Sequence, residues 1–235
     1  MPRMVSGRFS VFSAVGLLPL ALLGIDVEAV LSGARGALSL ARDKGEEENG
    51  TQQSAMRLYQ ALQNGYDTHN LFLFHKELEG IGKWWRQLVG ESLNKGGKGI
   101  LPMVSIGSTD MHSMAQAYLG GPQHIFHTFV AALAESSGDT IPRERVFPEL
   151  VPELSREDLN VLMRTILGGV EASFSAHGVP YDRVSLLSIS PEALGNFMQT
   201  QMIETFILSR LMEVSCFDQP DVEAYKEETR QILVV

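Results

Sequence analysis

Short apolar runs that alternate with segments of helical length constrain this chain more than any other feature. His69-Asn70-Leu71-Phe72-Leu73-Phe74-His75 is too short for a stable helix, is bounded by polar residues, and has the continuous apolarity of a strand covered on both faces. Gly99 to Ile106, His124 to Leu133 and Val184 to Ile189 read the same way. Helical spacing predicts helices over 25–42, 52–64, 78–94, 111–119 and 157–177, with one or two closing helices from Pro191 to the C-terminus. Alternation of this kind gives an α/β fold with a parallel, doubly wound sheet. Ligands then bind where strands end, which singles out the 75–83 and 107–112 loops.

The remaining segments are read by elimination. Residues 43–50 are acidic and 135–153 are rich in Pro and Glu, so both are predicted as surface loops. The apolar stretch 11–25 follows Arg3 and Arg8 but is too interrupted to span a membrane, and no small-residue cleavage site follows it. A buried core helix is the expectation there. At 235 residues and 44% hydrophobic, the chain can build a core without metal or disulfide. Its single cysteine, Cys216, excludes an internal disulfide and a Cys-rich zinc site, and its apolar surroundings predict a buried thiol in a reducing, cytoplasmic setting. With 19 basic and 28 acidic residues the net charge is −9, which argues against nucleic acid as a partner but leaves room for a small anion.

Several side chains stand at the predicted ligand edge. Gly107-Ser108-Thr109-Asp110 opens a helix whose free N–H groups favour anions, although Ser, Thr and Asp also occur there simply as caps. His112 lies in the first turn of that helix. Glu79, between Leu78 and Gly80, presents a carboxylate at a strand's end, where dipole compensation alone would also place one. Trp84 and Trp85 read as core or interface anchors. Spacing by itself makes Arg8 and Lys226 surface residues.

Four segments together resemble the glucose-6-phosphate isomerase family, particularly its bacterial branch. They are Gly7-Arg8-Phe9-Ser10-Val11 through Val15-Gly16-Leu17-Leu18-Pro19, Leu78-Glu79-Gly80-Ile81-Gly82-Lys83-Trp84, Ile106-Gly107-Ser108-Thr109-Asp110-Met111-His112-Ser113, and Phe217-Asp218-Gln219-Pro220-Asp221-Val222-Glu223-Ala224-Tyr225-Lys226. The resemblance implies one sugar-isomerase (SIS-type) three-layer sandwich over 1–235: a helical lead-in over 1–42, an α/β core with a mainly parallel sheet over 66–190, and closing helices over 191–235. It implies interconversion of glucose 6-phosphate and fructose 6-phosphate through a cis-enediolate, without metal or organic cofactor. In that mapping Glu79 is the general base, His112 and Lys226 assist ring opening, Arg8 is the cation beside the enediolate, and Gln219 contacts substrate. The base should have a pKa moved toward neutrality by its site.

The family carries two such domains in tandem, and the resemblance begins near the start of the second. The first domain, with the Ser/Thr-rich loop that holds the substrate phosphate, is therefore expected to be absent from this chain. Ser6 and Asp221 also depart from glycines usual in the family. A fragment, a truncated product and one half of a split enzyme all fit. The expected partners are a sugar phosphate, a second copy in a homodimer to which the matching histidine is donated, and a separate first-domain chain. A non-catalytic sugar-phosphate-binding module is the alternative.

Overall fold

The computed structural model describes residues 5–43, 49–132, 139–141 and 158–233. A 3-10 turn, Gly7–Phe12, leads into α1 (Ala14–Leu22), α2 (Val27–Asp43) and α3 (Gly50–Gln63). There follow β1 (Thr68–Leu73), α4 (Glu79–Leu93), β2 (Leu101–Ile106), α5 (Thr109–Gly120), β3 (Ile125–Ala132), α6 (Leu159–Ala176), β4 (Tyr181–Leu186), α7 (Pro191–Leu211) and α8 (Pro220–Leu233). The strands form one sheet in the order β2-β1-β3-β4, and every pairing is parallel. The α/β architecture read from the sequence is thus the one observed. Residues 44–48 of the first predicted loop and most of the second lie outside the described residues.

Strand alternation divides the core into two layers. Leu71 and Leu73 of β1 and Val130 of β3 pack with Leu58, Trp85, Val89, Phe197 and Leu208, so α3, α4 and α7 cover one face. Phe72, Phe74 and Phe129 pack with Tyr118, Leu167 and Phe174, so α5 and α6 cover the other. Two glycines set the closest approaches. A Cβ on Gly82 would lie 2.7 Å from Leu73 and Val104, which lets α4 sit directly on β1 and β2. A Cβ on Gly33 would lie 1.8 Å from the Glu192 carbonyl oxygen, which lets α2 and α7 touch through their backbones.

The sheet also buries polar side chains, each with its partner opposite. His69 meets Thr128 at 2.9 Å on the α4 face, while on the α5 face Asn70 meets His127 at 3.2 Å and Ser105 bridges Asn70 and Tyr118. Burial holds both imidazoles neutral, lowering His69 to about 3 and His127 to about 4.

Two expectations need correction. The apolar stretch 11–25 does not form a buried core helix: α1 has no buried residue, and Leu18 and Leu22 are exposed. Its composition is apolar on every face, but the described residues cover only one side, and that in part: Leu17 and Leu20 are half-buried. β4 runs Tyr181–Leu186 rather than 184–189, because Ser190 already caps α7 through the Ala193 N–H and leaves Leu187 outside. Cys216 is buried, as read. Among the described residues no helix is long and apolar enough to cross a membrane.

Candidate active site

The site is built around Arg8. In the Gly7–Phe12 turn, Ser10 Oγ donates to the Gly7 carbonyl at 2.7 Å, and Trp84 Nε1 donates to the Arg8 carbonyl at 2.9 Å. These bonds fix the turn against α4 and send the Arg8 side chain inward. Arg8 is fully buried, not a surface residue. A buried guanidinium needs acceptors for all its protons, and each of its five N–H groups has one. Nε donates to Ser92 Oγ at 2.9 Å; Nη1 donates to Glu91 Oε2 at 3.1 Å and to Gln219 Oε1; Nη2 donates to the carbonyls of Cys216 at 2.7 Å and Asp218 at 3.0 Å. Arg8 therefore joins the end of α4 to the segment that precedes α8.

Lys95 strengthens that junction. Its Nζ donates to the Ser92 carbonyl at 3.1 Å and to the Ser215 carbonyl, and pairs with Asp218 at 3.0 Å. The Lys95 hydrogen bond holds Asp218 below the usual carboxylate range. Glu91 Oε1 accepts from Gln87 Nε2 at 2.9 Å, and the Glu91 side chain is 24% exposed, so solvent reaches it. A fixed positive charge, a reachable carboxylate and an amide thus share one point.

The sequence-predicted residues divide into groups. Arg8 and Gln219 meet. Glu79 heads α4 and Glu91 closes it, twelve residues on, about 18 Å along the axis at 1.5 Å per residue. Glu79 pairs with Lys83 at 2.8 Å in a half-exposed setting, and that hydrogen bond holds it below the usual range rather than toward neutrality. The expected pKa is therefore reversed. His112 is exposed on α5, at the carboxyl edge of the sheet with Glu79, because β2 neighbours β1 with Ile106 level with Leu73. Gly107 closes that edge by donating to the Leu73 carbonyl at 2.8 Å, where any Cβ would strike the Phe74 ring. Ser108 makes no capping bond, and Asp110 accepts from the Ile106 N–H at 2.6 Å. Lys226 stands on α8, two turns beyond Gln219, and pairs with Glu223 at 2.7 Å, which raises its pKa.

Sequence reading missed Glu91, Ser92, Lys95 and the carbonyls of Cys216 and Asp218. A signal for Glu91 was present: Glu79, Lys83, Gln87 and Glu91 recur every four residues along the helix, each within reach of the next, with a carboxylate at each end. Among the described residues no group of three His, Cys, Asp or Glu side chains is arranged to hold a metal ion.

Comparison with known proteins follows this geometry. No protein-family model matches the chain. Over 97% of its length the chain is 34% identical to a protein of Rubrobacter xylanophilus named glucose-6-phosphate isomerase, covering 53% of that relative. The crystal structure of a hypothetical protein from Thermus thermophilus superposes with a TM-score of 0.92 at 32% identity, over all of this chain and 57% of that one. A glucose-6-phosphate isomerase from Chlamydia trachomatis shares the fold, with a TM-score of 0.80 at 20% identity, over 97% of this chain and 47% of that one. The chain spans about half the length of the curated relatives it matches.

Proposed function

We propose that this chain, a relative of the glucose-6-phosphate isomerases, is the C-terminal portion of such an enzyme and works at the Arg8–Glu91–Gln219 cluster. One observation carries the reading: a buried arginine bonded at once to a reachable carboxylate and to the amide that the resemblance assigns to substrate contact. The reaction is interconversion of glucose 6-phosphate and fructose 6-phosphate. A carboxylate takes the proton from C2 of the open-chain aldose while the electron pair forms the C1–C2 double bond of an enediolate. The C1 carbonyl's π pair moves onto O1, the O2 hydroxyl proton passes to O1, and the same carboxyl returns the C2 proton to C1 as the C2–O2 bond becomes the ketone carbonyl. Negative charge on the sugar oxygens is met by Arg8, which stays protonated throughout.

Glu91 takes the base role in place of Glu79. It is the carboxylate on Arg8, whereas Glu79 is about 18 Å away along α4 and neutralised by Lys83. Because the donors of Arg8 are all engaged, substrate oxygens must displace an existing acceptor, and the Gln219 amide is an uncharged side chain whose departure leaves no charge unpaired. Lys226, on the helix that begins beside Gln219, then assists ring opening.

Partners follow from what one copy does not bring together. His112 lies at the far edge of the sheet from Arg8, which fits a homodimer in which each copy lends His112 to the other's site. The exposed apolar residues Leu18 and Leu22 of α1, Tyr225 and Leu233 of α8, and the connecting Phe217 fit cover by a separate first-domain chain that supplies the phosphate loop. The test is proton exchange: the chain, with the complementary half of the Rubrobacter xylanophilus relative added, is incubated with fructose 6-phosphate in D2O. Deuterium entering the sugar at C1 and C2, lost on Arg8→Ala, is the expected result. Undiminished exchange in Arg8→Ala would overturn the site.

A further inference from the structure

β4 ends the sheet, and its side away from β3 opens into a cleft of about 800 Å³. One wall is the face of α7 from Glu192 to Glu204, and the other is α2 with the first turns of α3. Every residue from Asp182 to Ser188 lines it. A strand's face would contribute alternate residues, so the cleft is bounded by the strand's edge. The Pro180 carbonyl accepts from the His127 N–H, which fixes the alternation: even-numbered residues turn their backbone groups toward β3. Arg183 and Ser185 turn theirs into the cleft, and both are exposed.

Length and charge narrow the occupant. From Glu192 to Glu204, α7 rises twelve steps of about 1.5 Å, about 18 Å in all, which is the reach of five or six residues of extended chain at about 3.3 Å each. Both arginines of the cleft are already paired, Arg57 with Asp182 at 2.8 Å and Arg183 with Glu171 at 3.2 Å, while Glu192 accepts from the Ser32 hydroxyl at 3.0 Å. Burial raises Glu204 to about 7, and Gln201 and Ser54 hydrogen-bond it. An anionic ligand would find no unpaired cation among the described lining residues, and a compact polyol would leave the row of edge N–H and C=O groups unused.

We propose that this cleft binds an extended, uncharged peptide strand of a partner, which adds to the sheet beside β4. The inference is independent of the isomerase reading. The probe is a capped hexapeptide of alternating threonine and valine, titrated into the 15N-labelled 235-residue chain. Saturable binding with shifts of the Arg183 and Ser185 amides is expected. A fully N-methylated copy, which cannot donate, should bind about tenfold more weakly or worse. Ser185→Pro removes one edge donor, leaves the β3 ladder intact and should weaken binding about threefold with unchanged melting. Failure of the hexapeptide to bind at millimolar concentration overturns the proposal. So does equal binding of the N-methylated copy, sorbitol binding at the same residues, or self-association of the chain through β4.

Discussion

Glu204→Gln should stabilise this protein at pH 8 and do so much less at pH 5. Glu204 is buried where α3, α7 and β4 meet, and desolvation moves its pKa from 4.5 to about 7. A carboxyl whose folded-state pKa is raised gives stability that is fully present below its unfolded value and lost as pH rises through the folded one. At pH 8 the folded chain therefore carries a buried, ionised carboxylate. The interval between 4.5 and about 7 corresponds to about 3 kcal/mol at about 1.4 kcal/mol per tenfold change. A glutamine keeps an oxygen for the 3.2 Å bond from Gln201 Nε2 and never ionises. Urea unfolding of both proteins at pH 8 and pH 5 measures the effect: an advantage of about 3 kcal/mol for the variant at pH 8, shrinking to under about 1 kcal/mol at pH 5. An advantage that does not change with pH, or a loss at pH 8, would refute the reasoning.

Further predictions rest on other parts of the fold. His69 and His127 are held neutral at about 3 and about 4 against an ordinary 6.5, so protons bind the unfolded chain first and stability falls as pH drops below 6.5. In the Glu204→Gln background, which removes the opposing trend, about 2 kcal/mol per histidine should be lost between pH 7.5 and pH 5, and a flat urea profile would contradict this. Gly33→Val forces α2 and α7 apart at a 1.8 Å approach to backbone and should cost about 3 kcal/mol or more; Gly36→Ala, whose Cβ meets only Asn196 at 3.8 Å, should gain up to about 1 kcal/mol in the same thermal melts. Mixing Glu91→Gln subunits with His112→Ala subunits should restore part of the activity that each lacks, and silent mixed dimers would remove His112 from the shared site.

What the sequence disclosed follows the range of the interactions involved. β1 and β3 were legible because a strand buried on both faces is apolar at every position. β4 was misplaced because its first half, Tyr181-Asp182-Arg183, is polar at the sheet's open edge, while the apolar Leu187 lies outside the strand. α1 was misread because uniform apolarity reports what a helix could bury, not whether a surface is there to cover it. Glu79 and Glu91 stand on one helix, about a third of a turn apart around its axis, and it is the Glu91 end that meets Arg8. That choice is made by contacts between residues 83 and more positions apart, joining Arg8 to Glu91 and to Cys216 across 208. No local pattern contains it.

Turnover of Glu91→Gln and Glu79→Gln side by side is therefore the most direct measurement. Each is assayed for glucose 6-phosphate formation from fructose 6-phosphate, with the complementary half of the Rubrobacter xylanophilus relative present and circular dichroism confirming the fold. Removal of a positioned base should cost Glu91→Gln about 10²–10⁴-fold in rate, while Glu79→Gln, which breaks only a half-exposed pair with Lys83, should stay within about threefold of the parent. The reverse ranking would return the base to Glu79 and take the Arg8–Glu91–Gln219 cluster out of the chemistry.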